Sequence, residues 1–236
     1  GLTLNATGNI PLCIIVALAT GLLVGLINGL IVAYVKIPAF IMTLGSMYIV
    51  HAITLWITNS EQISVKNASF SFIGQGFIAG IPVPVYVFII IAVAAYVFLA
   101  HTATGRYIFA VGSNAETARL SGVNVERTTI QVFVLSGIAI ALASIVYLAR
   151  LTAAQPTAGQ SYEMEAVAAT VIGGTSIAGG EGGIFGTVIG AVIVTVIRNG
   201  LVQLGVGSYF TTLVVGVIII AAVSLDVIRT RIAANK

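Results

Sequence analysis

Apolar residues in this chain neither alternate with polar ones nor recur as a narrow stripe. They run nearly unbroken over long stretches, separated by short polar segments. Crossing the hydrocarbon core of a bilayer takes about 20 apolar residues, and seven segments are predicted to cross it. The first, Pro11 to Val35, carries Gly21, Gly25 and Gly29 at four-residue spacing, a ridge of small residues suited to close helix packing. Lys36 and Pro38 end it, and the second span runs from Ala39 to Thr58. A polar loop, Asn59 to Ile81, follows, and its Phe70–Phe77 portion is expected to lie along the membrane interface. The third span, Pro82 to His101, and the fourth, Thr128 to Leu148, flank a long polar interruption. Another polar segment, Arg150 to Glu165, leads into a weak fifth span, Ala166 to Ala178, which dissolves into glycine-rich Gly173–Gly183. Such backbone is tolerated at membrane depth only inside protein or beside a cavity. The sixth span, Ile184 to Leu204, has Gly186 and Gly190 at small-residue spacing. The seventh is Tyr209 to Leu225, before a basic tail with Arg229, Arg231 and Lys236.

The interruption from Gly105 to Arg127 contains a short helix with both ends written into it. Ser113 is a suitable N-cap, and Glu116 three residues on completes a capping box. Residues Ala115 to Leu120 form about two turns, and Gly122 fits the left-handed position that ends them. A helix so short does not stand alone in water, because nucleation costs more than its few hydrogen bonds return. Its small and apolar residues, Ala115, Ala118, Leu120 and then Val123, suggest that it packs on a surface, either of its own protein or of a partner.

Composition confirms the class. Hydrophobic residues make up 58% and charged residues 7% of 236, whereas about a quarter of the residues of a soluble domain are charged. The chain is predicted to be an all-α polytopic membrane protein. Its formal net charge of +3 carries no sign of nucleic-acid binding, because the basic residues stand singly at segment ends. Counting Lys and Arg by side places Lys36, Arg106, Arg119, Arg127, Arg229, Arg231 and Lys236 together, against Lys66 and Arg150. The long interruption and the C-terminus are therefore expected in the cytoplasm, with the first residues outside. The lone Cys13 excludes an internal disulfide.

The chemistry that would make this chain an enzyme or an ion-driven carrier is missing from the pattern. Gly173–Gly183 lacks the Lys-Ser/Thr of a phosphate-binding loop, and His51 and His101 lack the neighbours a metal site needs. Glu61, Glu163, Glu165, Glu181 and Asp226 fall in predicted loops or at span ends, while coupled carriers usually hold an acid at mid-membrane. Arg198 lies within the sixth span and is expected to snorkel outward in preference to lining an aqueous path. Asn28, Thr43, Ser46, Asn199 and Gln203 are candidate hydrogen-bonding groups along a path for a neutral polar solute. Bonding between helices serves equally well for each amide alone.

Several stretches in order resemble one family. They are IPAFIMTLGSMYI from Ile37, GIPVPVYVF from Gly80, GRYIFAVGSNAETARLSGVNV from Gly105, GQSYEMEAVAATVIGGTSIAGGEGGIFGTVIGA from Gly159 and NGLVQLGVGSYF from Asn199. The chain resembles the permease subunits of bacterial ABC-type monosaccharide importers of the ribose, xylose and arabinose class, the ribose-type ones most. That resemblance implies the ten-helix type II ABC importer permease fold, with residues 102–127 as its cytoplasmic coupling loop. The seven spans here, residues 1–236, then form one transmembrane permease domain whose first three helices are missing. It further implies the bacterial inner membrane and a C-terminus inside. A periplasmic sugar-binding protein would deliver the solute, and a second permease, identical or paralogous, would complete the path. Two cytoplasmic ATPase subunits would hold ATP and Mg, with no cofactor on this chain. Ser113, Asn114, Ala115, Glu116, Ala118, Arg119, Leu120 and Gly122 would couple ATPase closure to the membrane helices. Arg198 departs from many relatives, which carry an uncharged residue there. The competing readings are an ion-coupled secondary carrier, an interaction scaffold, and a permease for another small polyol or a signalling furanose.

Overall fold

The computed structural model describes residues 1–65 and 67–207, and beyond them only scattered positions between 210 and 224. In chain order the helices are α1 (Leu2–Thr7), α2 (Ile10–Leu30, continued by a π-helical turn, Ile31–Val35), α3 (Ala39–Thr58), α4 (Ala68–Gln75), α5 (Val83–His101), α6 (Ala103–Ser113), α7 (Ala115–Leu120), α8 (Val125–Leu151), α9 (Tyr162–Ile172) and α10 (Ile184–Gln203). Four two-residue strands, β1 (Ile63–Ser64), β2 (Phe77–Ile78), β3 (Ile81–Pro82) and β4 (Ala153–Ala154), pair antiparallel as β1–β4 and β2–β3. The chain divides into two compact units, Gly1–Ile91 with Asn124–Ala158, and Ala92–Val123 with Gly159–Lys236.

Five described helices are long and apolar enough to span a membrane: Ile10–Val35, Ala39–Thr58, Val83–His101, Val125–Leu151 and Ile184–Gln203. They correspond to the predicted first, second, third, fourth and sixth spans. The predicted fifth is different. Its helix starts earlier, at Tyr162, and covers 11 residues, about 16 Å at 1.5 Å per residue and half the thickness of the hydrocarbon core. The acidic Glu163 and Glu165 belong to its first turn and not to a loop. The seventh predicted span and the basic tail lie outside the continuously described residues.

In the first unit the glycine ridge does what its spacing predicts. Gly21 lies against Gly137 and Ala141, Gly25 against Phe133 and Gly29 against Ile130, so α2 and α8 run antiparallel. A Cβ on Gly21 or Gly25 would overlap the backbone carbonyl opposite. Without a hydrophobic force between helices in lipid, such backbone approach supplies the dispersion contacts that hold them together. Lys36 and Arg127 consequently share one end of this pair, and Arg150 takes the other.

At the Arg150 end, Leu4, Cys13, Val65, Phe70, Ile145 and Ala149 form a small core. Phe70 is fully buried, a burial worth about 2–3 kcal/mol. The Phe70–Phe77 segment therefore does not simply lie on the interface. Asn67 caps α4 by accepting from the Phe70 amide at 3.1 Å, and Gly74 brings α4 onto the backbone of Ala149 and Arg150. Gln75 Nε2 then donates to the Arg150 carbonyl at 2.8 Å, satisfying one of the open carbonyls at the end of α8.

Candidate functional site

The second unit contains the long polar interruption, which is two helices joined at one residue. Thr102 caps α6, its hydroxyl accepting from the Gly105 amide at 3.0 Å. Gly105 is buried against the backbone of Leu99, where a Cβ would overlap the Leu99 carbonyl, so the chain turns sharply out of α5. Sequence reasoning missed α6. The signals were Thr102 as cap and the half-buried Ile108 and Val111 at helical spacing, obscured by Gly105, Arg106 and Gly112.

The joint corrects the predicted cap. Ser113 is the last residue of α6, whereas Asn114 is extended (φ −157°, ψ 107°) and its Oδ1 accepts from the Thr117 amide at 2.9 Å. Asn114 is thus the N-cap of α7. Glu116 moves to the second helical position, one short of the capping box, and its remaining role in the first turn is to complement the helix dipole. The C-terminal end is as predicted. Gly122 takes φ +85°, the Gly122 amide donates to the Arg119 carbonyl and the Val123 amide to the Ala118 carbonyl, both at 3.0 Å. That is the Schellman closure, with basic Arg119 in the last turn.

Both ends of α7 are therefore fixed, and its two faces differ. Ala118 is buried, while Leu120 is 86% exposed. A hollow of about 240 Å³ lies beside the joint, lined by Ala110, Ser113, Asn114, Thr117, Ala118, Ser121 and Val123. Ala115, Glu116 and Arg119 are exposed around it.

The glycine-rich segment after α9 rests on the same joint. Gly179 meets Gly112 and Gly180 meets Ser113, backbone against backbone. Gly179 has φ +92° and a Cβ there would overlap the Gly112 carbonyl, so both the dihedral and the space demand glycine. The segment is closed on itself by the Ser176 amide donating to the Glu181 carbonyl at 3.1 Å.

From this loop α9 and α10 form an antiparallel hairpin, Gly173 on Gly186 and Gly190 on Ala169. Farther along it Arg198 Nη1 donates to both carboxylate oxygens of Glu165, at 2.6 and 2.9 Å. The guanidinium carbon lies 5.9 Å from the Tyr162 ring centroid. Arg198 does not snorkel away from its span. It is paired, with a carboxylate that the sequence reading had assigned to a loop.

The structure gathers some of the proposed path residues. Asn28 of α2 is 7% exposed and its Nδ2 donates to Ser46 Oγ of α3 at 3.0 Å. Ser46 Oγ in turn donates to the Thr43 carbonyl at 3.0 Å, and the Thr43 hydroxyl bonds back to the Ala39 and Phe40 carbonyls. The buried Oδ1 of Asn28 has no hydrogen-bond partner among the described residues. Asn199 and Gln203 belong to the other unit, four residues apart and exposed on α10.

A family model described as the permease component of the branched-chain amino acid transport system matches residues 1–223. The ribose import permease protein of Escherichia coli is 44% identical over 222 residues, covering 92% of this chain and 69% of that protein. The ribose import permease protein of Bacillus subtilis is 41% identical over 201 residues, covering 84% of this chain and 62% of its own length. The xylose transport system permease protein of Escherichia coli is 35% identical over 278 positions, covering 92% and 71%. No solved structure matches.

Proposed function

The chain belongs to the permease family of the branched-chain amino acid transport system type, and from that premise we propose that it is the membrane subunit of an ATP-driven monosaccharide importer. Its solute is ribose or a related sugar, in keeping with the names of its relatives. The observation that carries the reading is α7: a short helix, closed at both ends, presenting Leu120 to the surroundings. A rigid helix transmits a displacement that a flexible loop would absorb. Asn114 and Gly122 fix its ends, and Ser113 terminates α6 beneath it. Leu120 with Ala115, Glu116 and Arg119 forms the part that a cytoplasmic ATPase subunit grips, while the buried Ala118 seats the helix on its own chain.

In this reading ATP and Mg are held by the ATPase and hydrolysed there, and the permease supplies the path. A second permease subunit completes that path, and a periplasmic binding protein loads it. The orientation in the bacterial inner membrane follows from charge: Lys36 and Arg127 share one end of the α2–α8 pair, and Arg106 and Arg119 flank the α6–α7 joint. The excess of Lys and Arg on cytoplasmic segments assigns each of these groups, and the C-terminus, to the cytoplasm. Asn28, Thr43, Ser46, Asn199 and Gln203 offer amide and hydroxyl partners to sugar hydroxyls.

The test is co-purification of the full-length permease with its candidate ATPase, comparing wild type with Leu120→Asp. The substitution is expected to release the ATPase while leaving the permease folded, because Leu120 touches little of its own chain. Retained ATPase with normal coupled activity would refute the docking role. A wild-type permease that moves sugar along an ion gradient with no ATPase present would replace the importer reading with the carrier reading.

A further inference from the structure

Arg198 stands five residues before the end of the spanning helix α10, about 7 Å along its axis. Ionisable residues within spans face the protein interior or a water-filled cavity, and they mark functional sites by default. The Glu165–Arg198 pair is open on one side, the two side chains remaining 27% and 42% exposed. That open flank cannot rest against hydrocarbon tails without stranding charge in lipid, so it faces water or another protein surface. Both bonds to Glu165 leave from Nη1 alone, which leaves the donors on Nη2 and Nε uncommitted among the described residues. Tyr162, 44% exposed, places its ring beside the guanidinium.

We propose that Tyr162, Glu165 and Arg198 form a binding station for a neutral polyhydroxylated solute, a monosaccharide, on the translocation path; this rests on the importer reading above. The chemistry selects the ligand class. A sugar hydroxyl both donates and accepts, and here an uncommitted donor set lies beside a carboxylate acceptor. The ring offers an apolar face for the C–H side of the sugar. An anion drawn to Arg198 meets Glu165, and a cation drawn to Glu165 meets Arg198. The paired charges sum to zero and leave a site that is strongly polar without favouring either ion.

The experiment uses the full-length permease with its ATPase in proteoliposomes, supplied with saturating sugar-loaded binding protein, and reads labelled ribose and xylose moved per ATP hydrolysed. Glu165→Gln combined with Arg198→Gln removes both charges without leaving one unpaired. It is expected to retain the ATPase and hydrolyse ATP within about twofold of wild type while moving about tenfold less sugar, the effect of losing charge-assisted hydrogen bonds to the solute. Tyr162→Leu, which keeps the ion pair, is expected to lower sugar per ATP about threefold and to shift the ribose-to-xylose preference. Exchange of the charges, Glu165→Arg with Arg198→Glu, rebuilds the pair in reverse and is expected not to restore uptake. Full uptake by the reversed pair would show that the two residues only clamp α9 to α10 and would overturn the proposal. Unchanged uptake in the double glutamine variant or in Tyr162→Leu would overturn it too. Failure of the wild-type permease to recover any ATPase would instead strike at the importer reading on which the station rests.

Discussion

Asn114→Ala is the substitution that most directly tests how α7 is built. It deletes the one side chain that accepts from the first turn, the Asn114 Oδ1 to Thr117 amide bond at 2.9 Å. Replacing an Asn N-cap by Ala costs about 1 kcal/mol, whereas Gly costs only a few tenths. In a long helix packed along its length that loss would be absorbed. Here the helix has six residues and buries only Ala118, so its formation is marginal without a partner and the loss passes directly into its population. If the ATPase engages only the formed helix, its apparent affinity should fall by the same factor, about fivefold for 1 kcal/mol. The assay is titration of the ATPase onto full-length permease in lipid nanodiscs, with hydrogen exchange of the amides from Thr117 to Val123 followed in parallel. Asn114→Ala should weaken binding and speed exchange, Asn114→Gly should nearly match wild type, and Ser113→Ala should change neither because Ser113 closes α6. Loss on Ser113→Ala with no loss on Asn114→Ala would refute the assignment and reinstate the cap expected from the sequence.

Four further outcomes follow from the packing elsewhere. Gly25→Leu drives a side chain into the Phe133 carbonyl of α8 and should destabilise the first unit by more than about 2 kcal/mol, read as a lowered Tm in detergent. Gly45→Ala on α3 meets nothing within 4 Å and should leave Tm unchanged or slightly raised. Gly179→Ala combines a positive φ with overlap of the Gly112 carbonyl, costing on the order of 1–3 kcal/mol locally; it should reduce sugar moved per ATP while the ATPase remains bound, and normal coupling would show that this contact transmits nothing. Asn28→Ala removes the bond to Ser46 and the unpartnered Oδ1 together, so the stability change should stay within about 1 kcal/mol. Uptake should fall by more than that change explains if Asn28 contacts the solute.

How much was legible in the sequence depended on the range of the interaction. Five of the seven spans, the Gly21–Gly25–Gly29 ridge and the Gly122 stop are local features that the structure reproduces, because lipid demands apolar length and left-handed backbone demands glycine. Ser113 and Asn114 are both competent caps, and the choice between them is made by where α6 ends, which the sequence reading had not recognised as a helix. Glu165 looked like a loop residue because polar positions precede it. Its partner stands 33 residues away, and only the α9–α10 hairpin brings the two together. The burial of Phe70 was hidden for the same reason, since the end of α8 that covers it comes about 75 residues later.

These distant pairings lie in series within the second unit. The α6–α7 joint, where Asn114 and Leu120 would feel an ATPase, meets Gly179 backbone to backbone at Gly112 and meets Gly180 at the Cα and Cβ of Ser113. Two backbones in van der Waals contact have no side-chain rotamers to absorb a shift, so a displacement of the joint must move the glycine segment or break the contact. That segment is closed by its own hydrogen bonds and runs directly into α9 and α10. Those helices are locked at Gly173–Gly186 and Gly190–Ala169. The hairpin is therefore closely packed along its length, and toward its other end stands the Glu165–Arg198 pair beside Tyr162. Glycines at the joint and charges in the hairpin thus belong to one mechanical path. In the importer reading the same geometry accounts for the demanding positive φ of Gly179 and for the ion pair: one end of the path would sense the ATPase, and the other would hold the solute.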